Sequence, residues 1–267
     1  MEATLFALTL AAALAAMGAL WLLSLALRDA SIVDVYWGPG FLLLSAFALA
    51  VAPGPAGTRA LLVTLLAGLW GLRLCGYLLW RNRGAGEDYR YRAMRRRHGE
   101  RFPWVSLATV FGLQGLLQWV VSLPLQVAIF APPTPLGWSA ALGLALYTVG
   151  LVFEGVGDLQ LARFKADPAH AGRVMDSGLW RYTRHPNYFG DFLVWWGFYA
   201  IAWGAPGGPW TALGPLVMSV LLLRVSGVAL LERSLARRKP DYEAYRQRTS
   251  AFFPWLPGRR GGRPRSA

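Results

Sequence analysis

A run of polar and ionisable side chains between Asp176 and Asp191 is the part of this sequence best suited to chemistry. His185 precedes a proline and is therefore expected to be extended, while Pro186 suits the first turn of a helix. A helix amino terminus beside two arginines favours an anion, and phosphate is the most obvious guest. The side chains concerned are Arg181, Tyr182, Arg184, His185, Asn187, Tyr188 and Asp191.

A second group of ionisable residues lies inside apolar segments or at their ends, where a charge is costly unless it is paired or hydrated. Glu154 and Asp158 are four residues apart, so both carboxylates lie on one face of a helix. Glu232 follows Arg224 by eight residues and roughly shares its face. The group predicts a polar chamber open to the cytoplasm; the alternative is a buried ion-pair network that only fixes helix packing. Its members are Glu154, Asp158, Arg163, Lys165, Asp191, Arg224 and Glu232.

The amino-terminal half carries a sparser polar set. Asp34 and Tyr36 precede a Gly-Pro-Gly sequence, and Tyr77 lies in an apolar segment further along. Asp34 is equally compatible with an ordinary loop residue at the membrane interface. Gln114 and Gln118 share one helical face, and such glutamines more often form hydrogen bonds between helices than bind a ligand.

The composition predicts that these residues are positioned by membrane helices. Of 267 residues, 55% are hydrophobic and 15% charged, whereas about one quarter are charged in soluble domains. This excludes a disordered chain, a fibrous repeat and a disulfide-stabilised secreted module. The one cysteine, Cys75, excludes a cysteine-based metal site, and the three histidines have no zinc-ligand spacing, so no metal site is predicted.

Seven segments are long and apolar enough to be predicted as transmembrane helices of an all-α, polytopic membrane protein. No Lys or Arg precedes the first, which favours a retained helix over a cleaved signal peptide. The second and sixth are short and begin beside polar residues, as expected of helices that line a cavity. The predicted spans are Leu5–Leu27, Trp37–Ala52, Ala60–Trp80, Trp104–Phe130, Leu136–Leu161, Tyr188–Trp203 and Trp210–Leu231.

The charge pattern predicts that the net charge of +13 is concentrated on one side of the membrane. Arginines crowd residues 81–101, the connection after the fifth span and the carboxy-terminal tail. The other connections, Pro53–Thr58, Ala131–Gly137 and Gly204–Pro209, carry no charge. The excess of Arg and Lys in cytoplasmic loops predicts an external amino terminus and a cytoplasmic carboxy terminus. Membrane lipids are the expected partners of the basic face, and nucleic acid is disfavoured because the aromatic residues lie in the apolar spans.

The residues Ser177–Asp191, with Ser-Gly-Leu-Trp, Arg-His-Pro-Asn-Tyr and Gly-Asp elements, resemble the carboxy-terminal signature of membrane sterol reductases. The layout of Glu154 and Asp158 before Arg163 and Lys165 is similar to that of the steroid 5α-reductases. The whole chain resembles a bacterial membrane group of that superfamily, the DUF1295-like proteins. That broader likeness is carried by Ser31-Ile-Val-Asp-Val-Tyr-Trp37, Gly86-Glu-Asp-Tyr-Arg-Tyr91 and Arg246-Gln-Arg-Thr-Ser250.

The resemblance implies an oxidoreductase of the bacterial inner membrane that uses NADPH to reduce an activated carbon–carbon double bond in a lipophilic, steroid-like substrate. Within one membrane domain spanning 1–267, residues 1–135 would hold the substrate and 136–267 the cofactor, from the cytoplasmic side. Asp34, with Tyr36 or Tyr77, is the implied catalytic set, and Trp70 lies near the position where steroid 5α-reductases have a tyrosine. The implied cofactor-binding residues are Glu154, Asp158, Arg163, Lys165, Arg181, Arg184, His185, Asn187, Tyr188, Asp191, Arg224, Glu232, Tyr242 and Tyr245.

Two other functions remain open at this point. Arg-His-Pro-x-Tyr at a span entrance also resembles membrane methyltransferases that use S-adenosylmethionine, such as the isoprenylcysteine carboxyl methyltransferases. Those enzymes usually carry paired glutamates after the last span, whereas only Glu232 follows Leu231 here. The third possibility is a non-catalytic membrane scaffold, which would bind neither cofactor.

Overall fold

A computed structural model describes residues 2–225, 228, 232 and 241–257. Within these residues the regular structure is helical, apart from one isolated bridge between Thr183 and Ser250. The α-helices are α1 (Glu2–Leu27), α2 (Ile32–Val51), α3 (Thr58–Arg81), α4 (Tyr89–His98), α5 (Phe102–Ser106), α6 (Leu113–Val121), α7 (Leu123–Phe130), α8 (Trp138–Ala166), α9 (Pro186–Trp203), α10 (Leu213–Val220) and α11 (Tyr242–Arg248).

Six helical segments of the described residues are long and apolar enough to cross a membrane, which is consistent with a membrane protein. The sixth predicted span, now α9, is not among them, because polar and aromatic residues occupy much of its 18-residue length. The six segments are Glu2–Leu27, Ile32–Val51, Thr58–Arg81, Tyr89–Val121, Trp138–Ala166 and Gly208–Val225.

Two of the predicted helix starts differ from the observed ones. The second helix begins at Ile32 rather than at Trp37, so Asp34 lies in its first turn instead of in a loop. The fourth span is preceded by an arginine-rich helix, α4, where the sequence predicted only a basic loop. Arginine is a good helix former, and the Asp88 side chain caps the helix by accepting a hydrogen bond from the backbone N–H of Arg90.

The helices group into two compact units. The first unit contains Met1–Leu142 and Phe198–Val217, and the second contains Gly143–Gly197 and Met218–Ala267. Residues 198–217 therefore group with the amino-terminal helices.

In the first unit, α2 and α3 pack closely because glycine faces glycine. A Cβ atom on Gly38 would lie 2.4 Å from the carbonyl oxygen of Gly71, so neither position has room for a side chain. Beside this pair, a core of buried residues joins α1, α2, α4, α5 and the π-helical segment Leu107–Gly112. It consists of Met17, Ala30, Val33, Tyr91, Phe102, Val110 and Phe111.

In the second unit, α8 and α9 pack along a stripe of glycines. Gly143, Gly150 and Gly157 recur every seven residues on α8, and Gly190 and Gly197 have the same spacing on α9. A Cβ on Gly150 would lie 2.5 Å from the carbonyl oxygen of Gly190, and one on Gly197 would lie 2.7 Å from that of Gly143. Small residues at this spacing allow two helix backbones to approach closely. Pro186 lies in the first turn of α9, as predicted.

Candidate functional site

Arg184 is the centre of a buried network in the second unit. Its side chain is 8% exposed, and its Nε and Nη2 atoms both lie 2.8 Å from Oε1 of Glu232. Its Nη1 atom donates to the backbone carbonyls of Arg246 and Thr249, at 2.9 and 2.6 Å. Because these carbonyls end α11, the guanidinium both neutralises a carboxylate and caps a helix carboxy terminus.

His185 completes this network. Its ring is 2% exposed and its Nε2 atom lies 3.3 Å from the same oxygen of Glu232. Burial alone would raise the pKa of Glu232, but the hydrogen bonds from His185 and Arg184 hold it below its ordinary value of 4.5. The carboxylate is therefore charged at neutral pH, and it pairs with Arg184.

The two predicted tyrosines of α11 lie beside this network. Tyr245 donates a 2.5 Å hydrogen bond from its hydroxyl to the carbonyl oxygen of Trp180, and Trp180 in turn donates from Nε1 to the carbonyl of Gly157 at 3.1 Å. Burial, reinforced by the charge of Glu232, raises the pKa of Tyr242 to about 12. Burial also raises the pKa of Tyr245. Both hydroxyls therefore stay protonated at neutral pH.

A carboxylate and an amide lie side by side where α8 meets the start of α9. Asn187 donates from Nδ2 to Oδ1 of Asp158 at 3.2 Å, and Asp158 is 5% exposed. Glu154, one turn earlier on α8, is 4% exposed. The structure thus brings the predicted pair of carboxylates to the beginning of α9. That helix start directly follows Arg184 and His185 in the sequence.

The remaining predicted cofactor residues are more accessible. Arg163, Lys165 and Arg181 are exposed, and these three cations belong to the end of α8 and to the short 3-10 helix Gly178–Arg181. Arg224 is also exposed, on the π-helical segment Leu221–Val225. Tyr188 and Asp191 are partly buried in the first two turns of α9, and the Tyr188 ring stacks on His185 with centroids 5.7 Å apart.

In the first unit, Asp34 is the centre of a second network. Its Oδ2 atom lies 2.6 Å from Nη2 of Arg90, and its Oδ1 atom accepts a 2.8 Å hydrogen bond from the hydroxyl of Tyr91. Arg90 also contacts Oδ1 of Asp88 at 2.9 Å through Nε. Asp34 is therefore an ion-paired acceptor in this structure, with its partners supplied by α4.

Glu87, just before α4, forms a further set of hydrogen bonds in the first unit. It accepts hydrogen bonds from the backbone N–H of Ala30 at 2.9 Å and from Nη2 of Arg95 at 2.8 Å. Burial alone would raise the pKa of Glu87, but these bonds and the charge of Arg95 lower it instead. The Arg95 guanidinium also lies 4.2 Å from the centroid of the Phe102 ring. The segment before α4 is thus attached to the connection between α1 and α2.

Tyr36 does not share a helical face with Asp34, and Tyr77 belongs to a different helix, α3. Residues two apart on a helix do not face each other, so Tyr36 points away from Asp34 and lines a cavity of about 190 Å³ between α1, α2 and α6. Gln118 lines the same cavity and, as predicted, bonds between helices, donating to the Trp37 carbonyl at 2.9 Å. Tyr77 lies against Trp80, with ring centroids 6.1 Å apart. The cavity residues are Ala12, Ala13, Tyr36, Gly40, Leu43, Leu44, Phe47 and Gln118.

The sequence interpretation overlooked the residues that hold Asp34. The sequence places Glu87, Arg90 and Tyr91 in a family motif within a basic connection, and it assigns none of them a contact with Asp34. A usable signal was present: Glu87 and Asp88 are the acidic residues directly before a long arginine run, which is the composition of a capped helix start. The glycine repeat of α8, at intervals of seven, is a second signal in the sequence, and it indicates close packing against another helix.

Comparison with known proteins assigns the chain to a family. The family model described as "Protein of unknown function (DUF1295)" matches residues 20–249, most of the chain. The chain belongs to the DUF1295 family. The match includes both the Asp34 network of the first unit and the Arg184 network of the second.

A relative of this DUF1295 protein occurs in Schizosaccharomyces pombe, where it is described as an uncharacterized protein. The two are 27% identical over 272 residues, covering 90% of this chain and 76% of the yeast protein. No solved structure matches the DUF1295 protein.

Proposed function

We propose that this DUF1295 protein is an integral membrane reductase that uses NADPH to reduce an activated carbon–carbon double bond in a lipophilic, steroid-like substrate. The observation that carries the proposal is the Asp158–Asn187 pair, held at the start of α9 within the sterol-reductase-like segment Ser177–Asp191. Accessible cations at the end of α8 and at Arg181 supply the positive charge that a dinucleotide requires.

The residues of the second unit fit the chemistry of NADPH. A pyrophosphate and a 2′-phosphate need several cations, and Arg163, Lys165 and Arg181 are exposed and able to supply them. Carboxylate and amide groups such as those of Asp158 and Asn187 suit ribose hydroxyls. Arg184 has a different role in this proposal, because its guanidinium already binds Glu232 and two carbonyls. It positions the segment that carries the binding residues.

NADPH, when bound, supplies the hydride, and the protein has to hold the activating oxygen of the substrate and shield the reaction from water. Asp34 is paired with Arg90, so it acts as an acceptor and an electrostatic anchor. Tyr36 is the hydroxyl that lines the apolar cavity, and we assign it the hydrogen bond to the activating oxygen. The proton that balances the hydride comes from water through that hydroxyl.

The topology that supports this proposal has seven spans, with α9 as the sixth, an external amino terminus and a cytoplasmic carboxy terminus. The charge pattern supports it, because the arginine-rich segments fall on one side and the uncharged connections on the other. NADPH is a cytoplasmic reductant, so the cofactor site would face the cytoplasm of a bacterial inner membrane. The exposed side chains of Leu43 and Phe47 beside the cavity favour a substrate that enters from lipid.

Ligand-dependent thermal stability tests the proposal. A ligand present at 100 times its Kd stabilises the folded protein by about 2.7 kcal/mol, so NADPH should raise the melting temperature measurably. Arg163→Gln and Asp158→Asn should weaken that shift, whereas Arg246→Gln, which changes an exposed arginine of α11, should leave it intact. Absence of any NADPH-dependent shift, together with no NADPH oxidation in the presence of steroid enones, would refute the reductase.

A second candidate is a membrane methyltransferase that uses S-adenosylmethionine. It is favoured by the contact of Arg184 and His185 with Glu232, because the resembling methyltransferases combine Arg-His-Pro-x-Tyr with glutamate after the last span. The same thermal experiment separates the two functions. Stabilisation by S-adenosylmethionine but not by NADPH would establish this candidate and overturn the first.

A further inference from the structure

Arg59 is a buried arginine of the first unit, at the end of α3 that follows the uncharged connection Pro53–Thr58. It is the second residue of α3 and is 4% exposed. Its guanidinium donates through Nη1 to the hydroxyl of Thr134 and through Nη2 to the carbonyl of Pro135, at 3.3 Å. Its Nε atom is buried and has no hydrogen-bond partner.

No carboxylate of the described residues balances the charge of Arg59. None of them lies within 4.0 Å of the guanidinium, which contacts a hydroxyl and a carbonyl. A buried cation without a counter-ion is costly, so an anion supplied from outside would stabilise this site. The two protein contacts also leave three of the five guanidinium N–H groups available.

The surroundings of Arg59 are suited to an oxyanion. The amino terminus of α3 begins here, with Gly57 as the preceding residue and no side-chain cap, so its dipole favours negative charge. The Ser139 hydroxyl, 5% exposed, offers a neutral donor nearby. A Cβ atom on Gly204 would lie 3.0 Å from both Arg59 Nη2 and Ser139 Oγ. Glycine at 204 therefore lets the backbone lie directly against both groups, where a side chain would press on them.

The position of the site along the helix identifies the source of the anion. The 24 residues of α3 span about 36 Å, so Arg59 and Arg81 lie at opposite membrane interfaces. Three tryptophans are exposed at the Arg59 end, in the connections and helix ends of the same unit, and exposed tryptophan is typical of the headgroup level of a bilayer. They are Trp138, Trp203 and Trp210, with exposed fractions of 74%, 46% and 50%.

We propose that Arg59, with Thr134, Ser139 and the amino terminus of α3, binds the phosphate of a phospholipid headgroup in the membrane leaflet opposite the arginine-rich face. The phosphate oxygens accept hydrogen bonds from the guanidinium and the hydroxyls, and the acyl chains lie against the apolar helix surfaces. This site is independent of the reductase proposal, because it uses none of the residues assigned there.

Native mass spectrometry of the full-length protein in detergent, titrated with phosphatidylglycerol, tests the site. Arg59→Gln should weaken the tightest phospholipid binding about tenfold or more, as expected for the loss of a charge-assisted contact. Arg96→Gln, which removes an exposed arginine at the other interface, serves as the matched control and should leave that binding unchanged. Equal binding by wild type and Arg59→Gln would overturn the proposal.

Two further measurements, with glycine variants and with inorganic phosphate, complete the test. Gly204→Ala retains the arginine but presses a methyl group against its guanidinium, and should weaken binding, whereas Gly137→Ala meets no atom within 4 Å and should not. Inorganic phosphate, added alone at the same concentration, should not replace the lipid. If it binds as tightly as phosphatidylglycerol, the site takes a soluble anion and the lipid assignment is wrong.

Discussion

Removing Arg184 is predicted to detach the carboxy-terminal segment of the second unit. The side chain is 8% exposed and holds Glu232 and the end of α11 through three hydrogen bonds and an ion pair. Arg184→Ala leaves the carboxylate of Glu232, itself 20% exposed, without its main partner. Breaking a buried pair in this way costs about 3–5 kcal/mol in the free energy of unfolding.

The loss is large enough to measure in a thermal unfolding experiment in detergent. For a chain of this size, 1 kcal/mol corresponds to about 2–4 °C, so the melting temperature should fall by about 6–20 °C. Limited trypsin digestion should also cleave near residues 246–248 sooner, because the carbonyls that end α11 lose their cap. Arg246→Ala is the matched control, since its ion pair with Glu243 is about half exposed and should contribute little.

A double variant tests the physical reason for this loss. If the cost arises from an unpaired buried charge, Arg184→Met combined with Glu232→Leu should be more stable than Arg184→Met alone, because no charge is left without a partner. A single variant within about 1 kcal/mol of the Arg246→Ala control would refute the reasoning, since solvent would then be compensating the carboxylate.

Three further predictions concern other parts of the protein. Because the pKa of Glu232 is lowered on folding, its contribution to stability should be complete above pH 4.5 and be lost as the pH falls further; a Glu232→Gln variant should lack this acid dependence in thermal melts. Gly150→Ala should force α8 and α9 apart and lower the melting temperature strongly, whereas Gly155→Ala on the same helix meets no atom within 4 Å and should be neutral or slightly stabilising. Glu87→Gln should cost about 1–3 kcal/mol, because it weakens a charge-assisted bond to Arg95, while no loss is expected for an exposed change such as Glu100→Gln.

The apolar segments and the charge pattern were predictable because they depend on local composition. A helix needs about 20 apolar residues to cross a bilayer, and that requirement is visible in the sequence without knowledge of any contact. For the same reason the start of α9 at Pro186 was predictable, since proline is favoured in the first turn of a helix. The family was recognisable from short motifs that cover both halves of the chain.

The partners of the charged groups were not predictable in the same way. Arg184, Asp34 and Arg59 each depend on residues that lie from 48 to 75 positions away in the chain. The sequence shows that Glu232 roughly shares a helical face with Arg224, but it does not show that Glu232 contacts Arg184 and His185. Periodicity describes one helix at a time and carries no information about which helix packs beside it.

The sequence by itself determined the class of protein and the residue types available for chemistry, because these follow from composition and local pattern. Only the tertiary structure decided which of those residues are engaged. It pairs Arg184 with Glu232, separates Tyr36 from Asp34, and leaves Arg59 buried without a carboxylate among the described residues. The physical reason is that a buried charge must find a partner, and its partner is set by helix packing in three dimensions.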